Sequence, residues 1–579
     1  MSGRSVVLRS LVLRSPVSRL LSSLALLALA TAAARAQDYA GQVIADVGIA
    51  DGRAGFVGPR LQGIDLGCAV AALGDLDGDG VTELAVGSKH DGGTFSDPLW
   101  SSGSIWILFL ARDGSVKAQQ KISALEGGLV GPLHVNNRFG SALASLGDLD
   151  GDGVPDVAVG AENDGLQSTS QEGKGAVFIL FLNADGTVKA EQKIAEGVGG
   201  FTGPLGMDDN FGNALDTLGD LDGDGVLDLV VGAFNSNDGS SDRGAVWILF
   251  LHADGTVKAQ QKISSTSGGF TGQLKGGDRF GAGVGGMGDL DADGIADLCV
   301  GATGDDDGAG TTGACWMLFL NADGTVKSHL KIGATYPDFP VTLGAGDIFG
   351  SSVHALADLD GDGFTEVAIG ASSDDDAGTN AGSVWILFLG PGGALHGMQK
   401  INGLEGGFGG SLAESSEFGA AVCALGDLDG DGAGDLCVGA TGDTLSSGSA
   451  WLLYLRASPW IQIGHGLAGT AGVPVLKASG TLVAGDAVSL QLASAKPLSA
   501  TTLIVGLTPV FGALKGGMLV PQPSLLVLGS TNAQGSQSLV TPWPPGVPSG
   551  TRLWMQQWIA DSHAIKGFAA SNAVLATTP

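Results

Sequence analysis

Twenty-four of the chain's 60 acidic side chains stand in six short strings of one pattern, D-x-D-x-D-G-x-x-[DE]. The first string holds Asp75, Asp77, Asp79 and Glu83, and the second Asp148, Asp150, Asp152 and Asp156. The third holds Asp220, Asp222, Asp224 and Asp228, and the fourth Asp289, Asp291, Asp293 and Asp297. The fifth holds Asp358, Asp360, Asp362 and Glu366, and the last Asp427, Asp429, Asp431 and Asp435. Two like charges about 4 Å apart repel by about 1 kcal/mol even in water, and by more when partly desolvated. A hard, oxygen-liganded cation removes that cost, and Ca²⁺ accepts about six to eight oxygens in flexible geometry. Side chains one, three, five and nine are the expected ligands. Position seven would add a backbone carbonyl, from Val81, Val154, Val226, Ile295, Phe364 or Ala433. Mg²⁺ demands stricter octahedral geometry and retains its waters, so it suits such a loop less. No His lies in the strings, which argues against Zn²⁺. An EF-hand would need Glu at position twelve, where Val86, Val159, Val231, Val300, Ile369 and Val438 stand instead. The expectation is about six Ca²⁺ ions, each in a loop that runs directly into a strand.

The strings recur with their first Asp at 75, 148, 220, 289, 358 and 427, spacings of 73, 72, 69, 69 and 69 residues. Repetition at this period signals a stacked or radial architecture. Each repeat opens on a Phe-Gly pair, such as Phe139-Gly140 or Phe211-Gly212, replaced by Leu66-Gly67 in the first. A short apolar segment precedes the acidic loop, and a run such as Val157–Gly160 follows it. After a polar loop comes an unbroken apolar run, for example Ile105–Leu110 or Val246–Leu251. Such a run reads as a strand covered on both faces. Asp113-Gly114 and its equivalents then mark a hairpin turn before a more polar strand such as Val116–Ile122. Four antiparallel strands per repeat, with no helical period, describe an all-β fold with β-propeller blades. Repeat six stops after its third strand, and Gln42–Asp46 is placed to supply the fourth and close the ring. From about residue 457 the pattern ends. Strands are expected there at Ala487–Leu492, Thr502–Gly506, Ser524–Leu528 and Arg552–Ile559, in a smaller β-sandwich.

The Phe-Gly pairs, the D-x-D-x-D-G-x-x-D loops and strand ends such as Val159-Gly160-Ala161 and Val231-Gly232-Ala233 resemble FG-GAP repeats, as in the N-terminal propeller of integrin α chains. The resemblance covers about residues 37–456. It implies a propeller whose Ca²⁺ ions sit on one rim, in hairpin loops between the first and second strands of the blades. It also implies that these ions are mostly structural and that partners use the opposite face. The place of the Pro in "GAP" is taken by Glu162, Phe234, Thr303, Ser372 or Thr441. Integrin propellers have seven blades, whereas six repeats are counted here, so six blades are expected and seven is the alternative. No integrin leg domains or membrane span are visible, so an integrin chain of the cell surface is not expected.

The chain has 579 residues, among them 99 Gly, and is 44% hydrophobic, enough to bury large cores. Its net charge of −31 disfavours nucleic acid and anionic membranes as partners. Residues 1–36 read as a secretory signal peptide, with Arg4, Arg9, Arg14 and Arg19, an apolar stretch from Leu20 to Ala30, and Ala34-Arg35-Ala36 as cleavage site. Its removal leaves 24 bases against 60 acids, net −36. The protein is thus expected outside the cytoplasm, with domains 1–36 (signal), 37–456 (propeller) and 457–579 (sandwich). The five Cys fit buried small apolar side chains better than a disulfide framework. No His recurs at one repeat position, and no G-x-S-x-G, H-E-x-x-H or P-loop string occurs. A catalytic site is therefore not expected.

Two further sets recur. Acids of the second polar loops, including Asp164, Asp238, Asp242, Asp305–Asp307 and Asp374–Asp376, read as solvated loop tips or as an acidic binding face. Lys121, Lys193, Lys262, Lys331 and Lys400 read as decoration of an exposed outer edge, and Trp106, Trp247, Trp316, Trp385 and Trp451 as inter-blade core. The functional expectation is a secreted calcium-binding adhesion or scaffold module for an extracellular protein or glycan. The alternative is a carbohydrate-active protein, a lectin or a glycosidase or lyase, that uses the propeller face. A third reading makes the C-terminal domain a sorting or surface-attachment module.

Overall fold

The computed structural model describes residues 40–58, 63–92, 99–165, 173–307, 310–336, 343–443, 447–548 and 550–578. The proposed signal peptide lies outside the described residues. The chain divides into two compact units. One comprises residues 41–359 and 363–457; the other comprises the chain from 458 onward together with Ala40 and Asp360–Asp362.

The first unit is built from six four-stranded antiparallel sheets. Blade 1 runs Leu66–Gly74, Glu83–Ser88, Ser104–Leu110 and Val116–Ser123, in sheet order. Blades 2 to 5 repeat this order. Blade 6 takes Phe418–Gly426, Asp435–Ala440 and Ser449–Leu455 from the end of the unit and Val43–Ile49 from its beginning. The pairing of Val43–Ile49 with Ser449–Leu455 confirms the expected closure by the N-terminal segment. Parallel bridges join each blade to the next: Gly103 to Phe139, Gly175 to Phe211, Gly244 to Phe280, Gly313 to Phe349, Gly382 to Phe418, and Gly448 back to Leu66. The last bridge returns to blade 1, so the ring has six blades, not seven. Closure leaves no sheet edge available between blades.

The third strand of each blade is buried on both faces, as its unbroken apolar run requires: every residue of Ser104–Leu110, Ala176–Leu182 and Ala245–Leu251 is buried. Apolar cores therefore lie between blades. One such core joins Ala71, Ile107 and Phe109 of blade 1 to Phe139, Val159 and Phe178 of blade 2. Phe139 is fully buried there; truncating such a ring to Ala costs about 3–5 kcal/mol. The Gly of the Phe-Gly pair is dictated by backbone geometry. Gly140 has φ +88°, and a Cβ on it would lie 2.5 Å from the Ser104 carbonyl oxygen of blade 1. All five thiols are free, and all but Cys68 are buried.

The second unit carries a five-stranded and a three-stranded sheet. The larger has the order Trp460–Gly464, Phe568–Thr577, Arg552–Ala560, Ala500–Gly506, Leu525–Ser530; the smaller is Val475–Ser479, Ala487–Ala493, Gln537–Pro542. Leu476 and Leu490 of the small sheet share one core with Leu503, Leu553 and Val574 of the large one. Two sheets facing across a single core make a sandwich. No helix among the described residues is long and apolar enough to cross a membrane.

Candidate metal centres

Each acidic string forms the connection between the first and second strands of its blade. The position-one carboxylate folds the loop around itself. Asp75 Oδ1 accepts from the amides of Gly78 (2.7 Å) and Asp79 (2.9 Å), and its Oδ2 accepts from Gly80 (2.8 Å). Asp220 does the same with Gly223, Asp224 and Gly225. The sixth residue is Gly in all six loops because the turn needs positive φ there: from +82° at Gly80 to +93° at Gly432. The position-seven amides of Val81, Val154, Val226, Ile295 and Ala433 donate to the position-five carboxylates at 2.8–2.9 Å.

The ninth residue is the buried floor of the loop. Asp156 accepts from Leu149 N and Leu182 N, both at 3.0 Å, so it ties the loop's start to the end of the third strand. Asp228, Asp297 and Asp435 make the same pair of bonds. Glu83 is one methylene longer: its Oε2 accepts from Leu76 N at 2.7 Å, and its fully buried Oε1 has no hydrogen-bond partner. Burial, then the neighbouring loop carboxylates, pushes Glu83 up to about 7. Burial likewise lifts Asp156, Asp228, Asp297 and Asp435 to about 6. An orphaned carboxylate oxygen beneath a ring of carboxylates fits a hard cation.

Carboxylate oxygens of positions one, three and nine converge within 4.8 Å in repeats 1 to 4: Asp75, Asp77, Glu83; Asp148, Asp150, Asp156; Asp220, Asp222, Asp228; Asp289, Asp291, Asp297. In repeat 5 all four, Asp358, Asp360, Asp362 and Glu366, do so. The position-five carboxylates are not among these converging groups in repeats 1 to 4. There Asp79, Asp152, Asp224 and Asp293 pair with Lys117, Lys189, Lys258 and Lys327 of the outer strand. Three of these lysines also reach position three, at 2.8 Å for Asp150, 3.0 Å for Asp222 and 2.8 Å for Asp291. Sequence reasoning passed over these lysines, although the string V-K-[AS] precedes the other recurring lysine in four repeats.

The FG-GAP repeat family profile matches at residues 139–180, 211–249 and 349–387. The chain carries FG-GAP repeats. Curated relatives of these repeats include integrin alpha-PS2 of Drosophila melanogaster, 33% identical over 204 residues, 34% of this chain and 13% of that protein. Integrin alpha-4 of Xenopus laevis is 31% identical over 180 residues, 31% of this chain and 15% of that one. Integrin alpha-2 of Mus musculus is 34% identical over 162 residues, 28% of this chain and 12% of that one. The match thus spans about one-eighth of these relatives' lengths.

The far side of each FG-GAP blade corrects two sequence expectations. Asp164, Asp305 and Asp374 are buried, not loop tips. Lys193, Lys331 and Lys400 bond them at 2.5, 2.5 and 2.6 Å, and Lys121 and Lys262 bond Asp91 and Asp238 at 2.9 and 2.8 Å. The five lysines do not decorate an outer edge. Each lies over a third-strand ring, Trp106, Phe178, Trp247, Trp316 or Trp385, at 4.9–5.4 Å from the centroid. Of the remaining acids, Asp306, Asp375 and Asp376 are exposed. The indoles are 3–7% exposed, so they are core and offer no stacking platform to a sugar.

The inner strands line a cavity of about 310 Å³ that holds Asp216 and His354. Their Oδ2 and Nδ1 are 3.4 Å apart, and Asp216 Oδ2 also accepts from Gly286 N at 3.0 Å. Burial pulls the His354 imidazole down, but the Asp216 carboxylate outweighs it and holds the ring at about 9. Neither residue recurs in other repeats, so no sequence signal marked the pair.

Proposed function

We propose that this protein is an exported, calcium-stabilised FG-GAP propeller that acts as a binding or adhesion module. In this reading residues 1–36 are a removed signal, 37–456 the propeller and 457–579 an accessory sandwich. Ca²⁺ occupies the acidic loops, with side chains one, three, five and nine and the position-seven carbonyl as ligands. The partner is an extracellular protein or glycan that engages the rim opposite the ions. The likeness to integrin alpha chains supports the class of function, not a particular ligand. The observation that carries the reading is the register of the loops. Carboxylate clusters stand at equivalent positions in blades 1 to 5, and one of them holds a buried, unpartnered Glu83 oxygen. A cation bound only by the folded state stabilises it by RT ln(1 + [L]/Kd), about 2.7 kcal/mol per site at a hundredfold excess over Kd.

The test has two arms. Calcium stoichiometry and melting curves in calcium and in EDTA address the ions: several bound ions and a large fall in Tm on chelation are expected. An unchanged melt with no ion bound would sink the metal assignment. Binding to immobilised extracellular proteins and glycans, with and without EDTA, addresses the module. Turnover of a glycan, in place of simple retention, would replace the adhesion reading with an enzymatic one.

A further inference from the structure

Every outer strand is interrupted by one β-bulge at the same height. In blade 1 Phe109 pairs with Ala118 and Leu110 with Val116, which leaves Lys117 as the extra residue. The same slip leaves out Lys189, Lys258 and Lys327 in blades 2 to 4 and His396 in blade 5. In blade 6 Tyr454 pairs with Ala45 and Leu455 with Val43, which leaves out Ile44. A bulge re-aims a side chain out of the alternation of its strand. Here it carries the residue to the mouth of its own blade's acidic loop, where the four lysines meet position five. The fifth loop is mixed: its bulge residue is His396, and its Asp362 pairs with Arg552, which belongs to the same unit as that stretch. Among the described residues no lysine or arginine pairs with a carboxylate of the sixth loop. Its bulge residue is the apolar, 44% exposed Ile44. The nearby Arg112 donates to the Gly80 carbonyl of loop 1, at 3.3 Å.

We propose that the bulge residue sets the calcium affinity of each loop. Lys117, Lys189, Lys258 and Lys327 are tethered competitors that weaken loops 1 to 4, and loop 6, with Ile44 at its mouth, is the tight site. The inference rests on the calcium reading above. A dication entering loops 1 to 4 must either displace the ammonium from the position-five carboxylate or bind a few ångströms from it. Both routes weaken binding. A fixed single charge about 5 Å from a dication, even in fully aqueous screening, corresponds to roughly a tenfold change in Kd. The ammonium also explains how four clusters of carboxylates tolerate one another before metal arrives: each has a counter-ion already. In loop 6 the nearest guanidinium, that of Arg112, lies beside Gly430 but is bonded to the Gly80 carbonyl and not to a loop-6 carboxylate, so its four Asp gain most from calcium. The tight site therefore falls on the blade that closes the ring.

Calcium titration of the full chain by calorimetry tests this. One ion is expected to bind at least about tenfold more tightly than those of loops 1 to 4. Asp429→Asn should remove that tight step. Ile44→Lys, at an exposed position, should move it into the weak class, and Lys258→Gln should add a second tight step; both variants should keep the parent's β-sheet circular dichroism. Ions of equal affinity, or an Ile44→Lys isotherm that overlays the parent, would overturn the inference while leaving the calcium sites standing. Failure of the chain to bind any calcium would instead defeat the functional reading, and this inference with it.

Discussion

The Lys400 ammonium lies 4.9 Å from the centroid of the Trp385 ring, with Asp374 and Asp376 each 2.6 Å from its Nζ. Lys400 and Asp374 are 8% and 1% exposed, so the pair is removed from water and its cation faces an indole on one side. Removing one partner of a buried ion pair leaves the other charge uncompensated, at a cost of about 3–5 kcal/mol. Lys400→Met is therefore expected to destabilise the protein by about 3 kcal/mol in denaturant unfolding. A loss under about 0.5 kcal/mol would mean that the contact is ornamental.

The closing strand makes a second prediction. Among the described residues Val43–Ile49 is the strand that covers the Ser449–Leu455 edge, and Ile49 is buried in the core between blades 6 and 1. A chain that begins after Ile49 should expose that edge and associate through it. Size-exclusion chromatography should show oligomers or aggregate. A monomer with the parent's melting temperature would contradict the account of closure.

The Asp216–His354 pair in the inner cavity predicts a pH effect. His354 has a folded pKa of about 9, raised from an ordinary value of 6.5. Its charged form is favoured by folding, so its contribution is complete below pH 6.5 and is lost as pH rises through about 9. Asp216→Asn removes the charge that holds the proton. NMR titration should place His354 near 9 in the parent and below 6.5 in the variant. The stability difference between the two proteins should shrink between pH 7 and 10.

The loop floors predict a pH effect that calcium reverses. Without metal, Asp156, Asp228, Asp297 and Asp435 stand at about 6 and Glu83 at about 7, above their ordinary 3.8 and 4.5. A raised folded pKa stabilises below the unfolded value and loses that stabilisation as pH rises through the folded one. In EDTA the Tm should therefore climb as pH is lowered from 7 toward 5. In excess calcium the ions hold these carboxylates deprotonated, and the same acidification should lower the Tm. Parallel curves in the two conditions would show that no ion contacts the floor residues.

Much of this was legible in the chain itself. A 69- to 73-residue period carrying Phe-Gly, an acidic string and an unbroken apolar run specifies a blade, because only a strand covered on both faces needs such a run. The truncated sixth repeat specified its own partner, since a ring cannot close with an open edge. Local spacing also named the loop acids. Tertiary structure alone decided what those acids face. Lys117 and Asp79 are 38 residues apart, and a β-bulge, which leaves no mark in hydrophobic periodicity, brings them together. The burial of Asp374 under Lys400 and the meeting of Asp216 with His354 arise in the same way. Periodicity reports which face of a strand is apolar. It does not report which charges from distant repeats share a pocket, because that depends on the curvature of the closed ring.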